Sequence, residues 1–451
     1  MIGKIGRVQN RSKLIFQKHW AWSRTTNDDQ ILVLKKGIWI YFFLLIFEGS
    51  LRKWFLPFLA TPLLIVRDPI ALLLLLRAWQ YRLLPPNFYV FTFQIIGVLG
   101  IYTAFFFGHG NLWVALFGAR IFMIHFPMIF VIGQIFNRDD VVQMGRMILL
   151  ISIPMTFLIA LQYYSPQSAW VNRGVAGDMN GAGFSGVGSF YRPPATFSFT
   201  NGTTLFFSLV GCYVLYFWFH QKEINKLVLI FSTLSLIAAV PLSLSRGLSL
   251  QIGLSFLFVI IAISRKPQYT GKIIAAIISA VIIILVFSKL SFFETSLTNL
   301  TGRFELASQA EGNIENILNN RFIGGLIASL KESFRVPFFG YGLGMGTNAG
   351  GFILSGNHDF LISELEWARI IGELGPLMGL IIIFLRLLLG IKITLGCYKK
   401  LTQDDFLPWM LLSFGLFSIT QGGWAQPTSL GFSIFIVGLT LASTKPINSH
   451  E

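Results

Sequence analysis

Apolar residues fall in long, nearly uninterrupted blocks along the chain, separated by short polar or basic turns. A helix needs about twenty apolar residues in succession to cross a bilayer. Blocks of that kind lie at 37–57, 60–78, 87–107, 111–135, 143–164, 196–220, 226–243, 247–264, 271–288, 367–395, 405–422 and 428–443. The pattern predicts an all-α, polytopic integral membrane protein of about twelve transmembrane helices. Glu48, Arg52, Lys53, Arg67 and Asp68 interrupt the first two blocks. Residues 1–36 are basic and lack the apolar core of a signal peptide, so they are expected to form a cytoplasmic segment.

Basic residues orient the blocks, because cytoplasmic loops carry the excess of Lys and Arg. With the N-terminus inside, alternate loops hold Lys35 and Lys36, Arg77 and Arg82, Arg138 and Arg146, Lys222 and Lys226, Arg265, Lys266 and Lys272, then Lys399 and Lys400. The outside turns Gly108–Asn111 and Gly422–Pro427 hold none. Both ends are then cytoplasmic, with residues 444–451 as a short tail. Two outside segments are too long to be simple turns. One, 165–195, is rich in glycine; the other, 289–366, has helix-like stretches at Ile314–Leu318 and Phe322–Phe334 and is expected to be folded. No inverted internal repeat is visible.

Composition narrows the class further. Of 451 residues, 54% are hydrophobic and 12% charged, about half the charge of a soluble domain, and 45 Phe and 11 Trp are spread over many blocks. A soluble enzyme, a disordered chain and a secreted disulfide scaffold are excluded. The net charge of +15 would suggest nucleic acid in a soluble protein. Here it fits the loop bias together with an anionic ligand, and no nucleic-acid partner is expected. Cys212 and Cys397 lie far apart and match no disulfide or metal spacing.

Gly340-Tyr-Gly-Leu-Gly-Met-Gly346 has neither the Gly-Lys-Ser/Thr ending of a phosphate loop nor Gly-x-Gly-x-x-Gly spacing. A tight turn that lets another element or a ligand come close accounts for it better. Neither His-Glu-x-x-His, Cys-x-x-Cys nor Gly-x-Ser-x-Gly occurs, so no metal site and no cofactor is expected. His358 lies in the large outer segment beside Asp359, a carboxylate able to orient its ring; a solvated loop histidine is the plain alternative.

Arginines at the membrane boundary are more telling. Arg246 ends Pro241-Leu-Ser-Leu-Ser-Arg, Arg120 lies inside an apolar block, and Arg192 and Arg321 flank others on the outer side. An intramembrane arginine costs roughly 2.5–3.5 kcal/mol on insertion scales, so it pairs, snorkels or lines a cavity. Several converging without matching carboxylates suit an anionic ligand, because guanidinium binds phosphate oxygens in a planar fork. Glu48 with Arg52, four residues apart, and Arg67 beside Asp68 read as structural pairs.

The order of these features resembles the superfamily of O-antigen ligases and O-antigen polymerases. The likeness runs over about residues 165–440: Arg192-Pro-Pro-Ala-Thr-Phe-Ser-Phe-Thr-Asn-Gly202, then Ser245-Arg-Gly247, Arg321, Val336-Pro-Phe-Phe-Gly-Tyr-Gly-Leu-Gly344, His358-Asp-Phe-Leu361 and Glu373-Leu-Gly-Pro-Leu-Met-Gly379. Asp359 stands where asparagine is usual, Ala195 where glycine is common, and the gap to Glu373 is longer than in the family pattern. Glu48-Gly-Ser-Leu-Arg-Lys-Trp54 and Arg67-Asp-Pro69 look like a variant group classed with exopolysaccharide polymerases.

The resemblance implies metal-independent, inverting glycosyl transfer on the outer face of a bacterial plasma membrane. The donor would be a glycan on undecaprenyl diphosphate. The acceptor would be another lipid-linked glycan for a polymerase, or lipid A-core for a ligase. A chain-length regulator is a possible partner, alongside membrane lipids. Arg246 and Arg321 would stabilise the diphosphate leaving group, and His358 would take or position the acceptor proton. Arg192, Asp359 and Arg120 would bind diphosphate or glycan. A transporter or flippase of lipid-linked glycans is the reading from another class.

Overall fold

The computed structural model describes residues 5–265, 271, 289–311, 324, 327, 329–331, 335–356 and 360–446, with side chains described from residue 28 onward. Ile314–Leu318 and most of Phe322–Phe334 therefore lie outside the described residues, as does the apolar block 271–288.

Helices dominate the described residues. In chain order they are α1 (Ile5–Ser50), α2 (Arg67–Gln80), α3 (Phe88–Phe106), α4 (Leu112–Arg120), α5 (Phe126–Ile135), α6 (Arg138–Tyr164), α7 (Thr200–Phe219), α8 (Lys226–Leu242), α9 (Arg246–Ser264), α10 (Ser291–Glu311), α11 (Asn348–Ser355), α12 (Glu366–Thr402), α13 (Leu407–Thr420) and α14 (Pro427–Ser443). Side-chain caps fix several starts. Asn87, Asn111 and Asn225 each accept from backbone N–H groups of the first turn. Asn137 and Asp140 cap each other's backbone at the start of α6.

Eight stretches among the described residues are long and apolar enough to cross a membrane: Asp28–Phe55, Pro57–Gln80, Phe88–Phe106, Leu112–Ile135, Arg138–Tyr164, Thr200–Phe219, Arg246–Ser264 and Glu366–Thr402. By helix length and hydropathy this is a multi-pass membrane protein. The count of twelve is not confirmed, since one expected span, 271–288, lies outside the described residues. Three expected spans, α8, α13 and α14, are shorter apolar helices. The physical reason is clearest for α14, which packs against α5, α7 and α13 and is buried at most of its positions. A helix enclosed by protein on all sides need not match the thickness of the lipid. The basic N-terminal stretch is continuous with the first span, as one helix from Ile5.

One end of the bundle carries the basic turns, with Lys35 paired to Asp140 at 2.7 Å and Arg138 beside Glu223 and Asp405. The other end carries a small antiparallel hairpin, β1 (Phe184–Val187) and β2 (Phe190–Arg192), together with α10, α11 and the glycine-rich turn. Apolar side chains such as Phe91, Phe105 and Phe106 of α3 stay exposed on the flank, as a lipid-facing surface requires.

Two π-helical turns, Leu51–Phe55 after α1 and Ile121–His125 between α4 and α5, interrupt the spans where charged residues cluster. Such turns insert an extra residue and re-aim side chains, often at functional sites.

Candidate functional site

At the hairpin end, residues 195–198 are laid across the end of α1. A Cβ on Gly49 would come within 2.4 Å of Phe197 backbone, so only glycine lets the two chains touch. Thr196 Oγ1 donates to Ile46 O at 2.7 Å, and Ser50 Oγ donates to Thr196 O at 3.3 Å. Arg52 Nη1 donates to Ser198 Oγ at 3.0 Å, and Lys53 Nζ donates to Ala195 O at 2.6 Å. The Glu48–Trp54 run thus grips the segment that follows Arg192. Ala195 is held in the left-handed region, at φ 52°, with Gln162 bridging its N–H and its carbonyl. A glycine would adopt that φ freely, which is the physical reason for one at this position.

The hairpin above this corner carries Arg192 at the end of β2, paired in register with Phe184. α10 lies against it, since a Cβ on Gly302 would sit 3.6 Å from Val187. This brings Arg303 to the hairpin. α9 begins at Arg246, capped by Ser245 Oγ, which also bonds Thr204 Oγ1 at 2.7 Å. Leu244, just before it, is buried at φ 49°, and a Cβ on Gly186 would come within 2.5 Å of its Cδ1. A non-glycine residue in that region stores roughly 1–3 kcal/mol, held here by the hairpin seated on its side chain.

Three guanidinium groups from separate segments therefore act on one another. The pKa of Arg192 is pushed down to about 10, by burial first and then by the charges of Arg303 and Arg246. That of Arg303 is lowered by burial and by Arg246. The Nε of Arg192 is buried without a hydrogen-bond partner among the described residues, and no carboxylate among them pairs with this side chain. The N-terminal end of α9 adds its partial positive charge beside them. Guanidinium groups placed in this way can bind an anion with several oxygens.

The structure thus brings together Arg192 and Arg246, both visible in the sequence, and adds Arg303. That residue lies in a polar helix with no motif around it, and only the packing of α10 on the hairpin reveals it. Arg321, His358 and Asp359 lie outside the described residues. Arg120 has a partner of its own. Its Nη1 donates to both oxygens of Asp68, at 2.9 and 2.8 Å, and Asp68 also meets His125 Nε2 at 2.8 Å.

The glycine-rich turn is the close approach that its sequence suggests. Gly340, Gly342 and Gly344 have φ of 75°, 115° and 91°. Tyr341 N–H and Gly342 N–H donate to the carbonyls of Gly372 and Glu373, where α12 breaks at Gly375. Below it, Glu366, Arg369, Glu373 and Arg386 form a buried charge network. Arg369 reaches Glu373 at 2.6 Å and Glu366 at 2.9 Å, and Arg386 reaches Glu366 at 2.7 Å. Glu373 Oε1 also accepts from Gly346 N–H at 2.9 Å. With every charge paired, the network fixes the turn that leads to His358 rather than offering a site.

Among the described residues, no group of three or more His, Cys, Asp or Glu could hold a metal ion. No protein-family model matches the chain, and no curated protein matches it.

Proposed function

We propose that the protein is a membrane glycosyltransferase that polymerises oligosaccharide repeat units carried on a polyprenyl diphosphate, at the outer face of the plasma membrane. The observation that carries the reading is that Arg192 of the hairpin, Arg246 at the start of α9 and Arg303 of α10, whose helices pack on the hairpin, act on one another at the end of the bundle opposite the basic turns. By the positive-inside rule that end is the outer one. A diphosphate leaving group gains charge as the sugar bond breaks, and preorganised guanidinium groups stabilise that charge. Arg246, Arg321 and Arg303 take this role, with Arg192 binding diphosphate or glycan. His358 takes the proton from the attacking acceptor hydroxyl. Direct displacement inverts the anomeric centre. Arg120 is engaged on Asp68.

Two other readings share the cationic site. A ligase would pass the glycan to lipid A-core, and a flippase would move it across the membrane. The test uses protein in lipid nanodiscs with a labelled polyprenyl-diphosphate oligosaccharide in EDTA. A ladder of longer lipid-linked products is expected. Transfer only when lipid A-core is added makes it a ligase. Absence of transfer to either acceptor, with label crossing the bilayer of proteoliposomes instead, overturns the transferase reading.

A further inference from the structure

A small cavity of about 40 Å³ opens between the end of α1, the start of α7, the start of α11 and the start of α14. Its polar lining comes from Glu48, Arg52, Asn201, Asn348, Gln426 and Thr428, and Phe117 and Phe199 supply apolar walls. The cations here are already engaged. Arg52 donates to Ala60 O at 2.7 Å and to Ser198 Oγ at 3.0 Å, and it faces Glu48 at 3.5 Å. The acceptors are not. Asn201 Oδ1 and Asn348 Oδ1 are buried with no hydrogen-bond partner among the described residues. The amide of Asn201 is held in orientation because its Nδ2 donates to Gln426 Oε1. Buried acceptors left open cost stability until a donor reaches them.

We propose that this cavity receives the hydroxyl edge of a sugar. Its open groups accept hydrogen bonds, so the occupant supplies donors, and the Glu48 carboxylate disfavours an anion. A volume of about 40 Å³ is two or three waters' worth by the usual threshold for a hydrated cavity, so it takes a hydroxymethyl group or a pair of hydroxyls rather than a whole ring. Phe117 and Phe199 offer apolar faces to the C–H side of that edge. One wall of the cavity also reaches the hairpin that carries Arg192. The Phe199 ring lies 6.2 Å from that of Phe184, the residue paired with Arg192 across the hairpin. A glycan whose diphosphate meets Arg192 then presents a nearby sugar to the cavity, which makes Asn201, Asn348 and Thr428 determinants of sugar selectivity. That placement rests on the transferase reading; the hydroxyl subsite does not.

The test is saturation-transfer NMR on the full chain in nanodiscs, with millimolar methyl glycosides of glucose, galactose, mannose and N-acetylglucosamine as probes. At least one glycoside is expected to respond. Asn348→Leu and Thr428→Val each remove one polar contact and should weaken the response about fivefold, the worth of one hydrogen bond. Thr428→Val keeps the side-chain shape and serves if Asn348→Leu is not monodisperse. A response from none of the glycosides, a response unchanged in the cavity variants, or displacement by sodium or ammonium ions in place of sugar overturns the subsite. Glycoside binding without any transfer activity removes the transferase reading and leaves the subsite standing. Transfer activity without glycoside binding does the reverse.

Discussion

Arg67 Nε lies 3.1 Å from Glu48 Oε2, although the neighbour of Arg67 in sequence is Asp68. Asp68 turns the other way, to Arg120 and His125. α1, α2 and the span Leu112–Ile135 are thereby tied together by buried charges. Gly431 makes room for the arginine, whose Nη2 also donates to Pro427 O at 2.6 Å. Removing one member of a buried pair leaves its partner uncompensated, at about 3–5 kcal/mol. Arg67→Met is therefore expected to lower the thermal unfolding midpoint in detergent sharply. Adding Glu48→Gln to it should cost less than the sum of the two single changes. Additive losses would show that the pair is not coupled.

Ala195→Gly is expected to stabilise the protein. The left-handed conformation at φ 52° costs an alanine roughly 1–2 kcal/mol, part of which is offset by the greater freedom of glycine in the unfolded chain. A gain of about 0.5–1 kcal/mol should appear as a higher unfolding midpoint, with Ala195→Val moving it downward.

Gly344→Ala and Gly188→Ala separate two costs. Both positions have positive φ, at 91° and 59°. A Cβ at Gly344 would fall 2.1 Å from Val114 O, whereas one at Gly188 meets nothing within 4 Å. Gly188→Ala should lose about 1 kcal/mol from the backbone alone. Gly344→Ala should lose several times that or prevent monodisperse purification. Equal midpoints for the two variants would contradict the packing of the glycine-rich turn on α4.

The segmentation into spans was legible because burial in lipid demands long apolar runs, and Arg192 and Arg246 stood out because arginine at a membrane boundary is costly. The partners of these charges were not legible. Whether Arg67 meets Asp68 or Glu48 depends on how the turn between α1 and α2 folds back, which no local spacing encodes. Arg303 was hidden for a related reason: an arginine in a polar helix is unremarkable until that helix is packed on the hairpin. The short helices α13 and α14 read as full spans because hydropathy cannot tell a helix facing lipid from one enclosed by other helices.

The charge state of Arg192 gives a pH prediction. Its pKa of about 10 lies below the ordinary arginine value, so the folded state disfavours the proton that the unfolded chain keeps. At neutral pH this is a standing penalty, and stability contributed by the site rises above about pH 10 as the folded protein sheds that proton. A bound anion offsets the same penalty. Pyrophosphate should therefore raise the unfolding midpoint at pH 7.5, with the gain shrinking as pH rises through about 10. Arg192→Gln should raise the midpoint without pyrophosphate and lose most of the gain with it. A pyrophosphate effect identical in the variant would place the anion elsewhere.

The proposed glycosyl transfer from a polyprenyl diphosphate runs through the outer arginines and His358. Its most direct test is the initial rate of product formation from labelled polyprenyl-diphosphate oligosaccharide, for the wild type, Arg321→Ala and His358→Ala reconstituted side by side. Loss of general base or oxyanion-type stabilisation is worth about 10²–10³ in rate. The predicted result is a ladder from the wild type and at least a hundredfold slower products from both variants, with all three proteins equally monodisperse. No transfer by the wild type, or full activity in both variants, would contradict it.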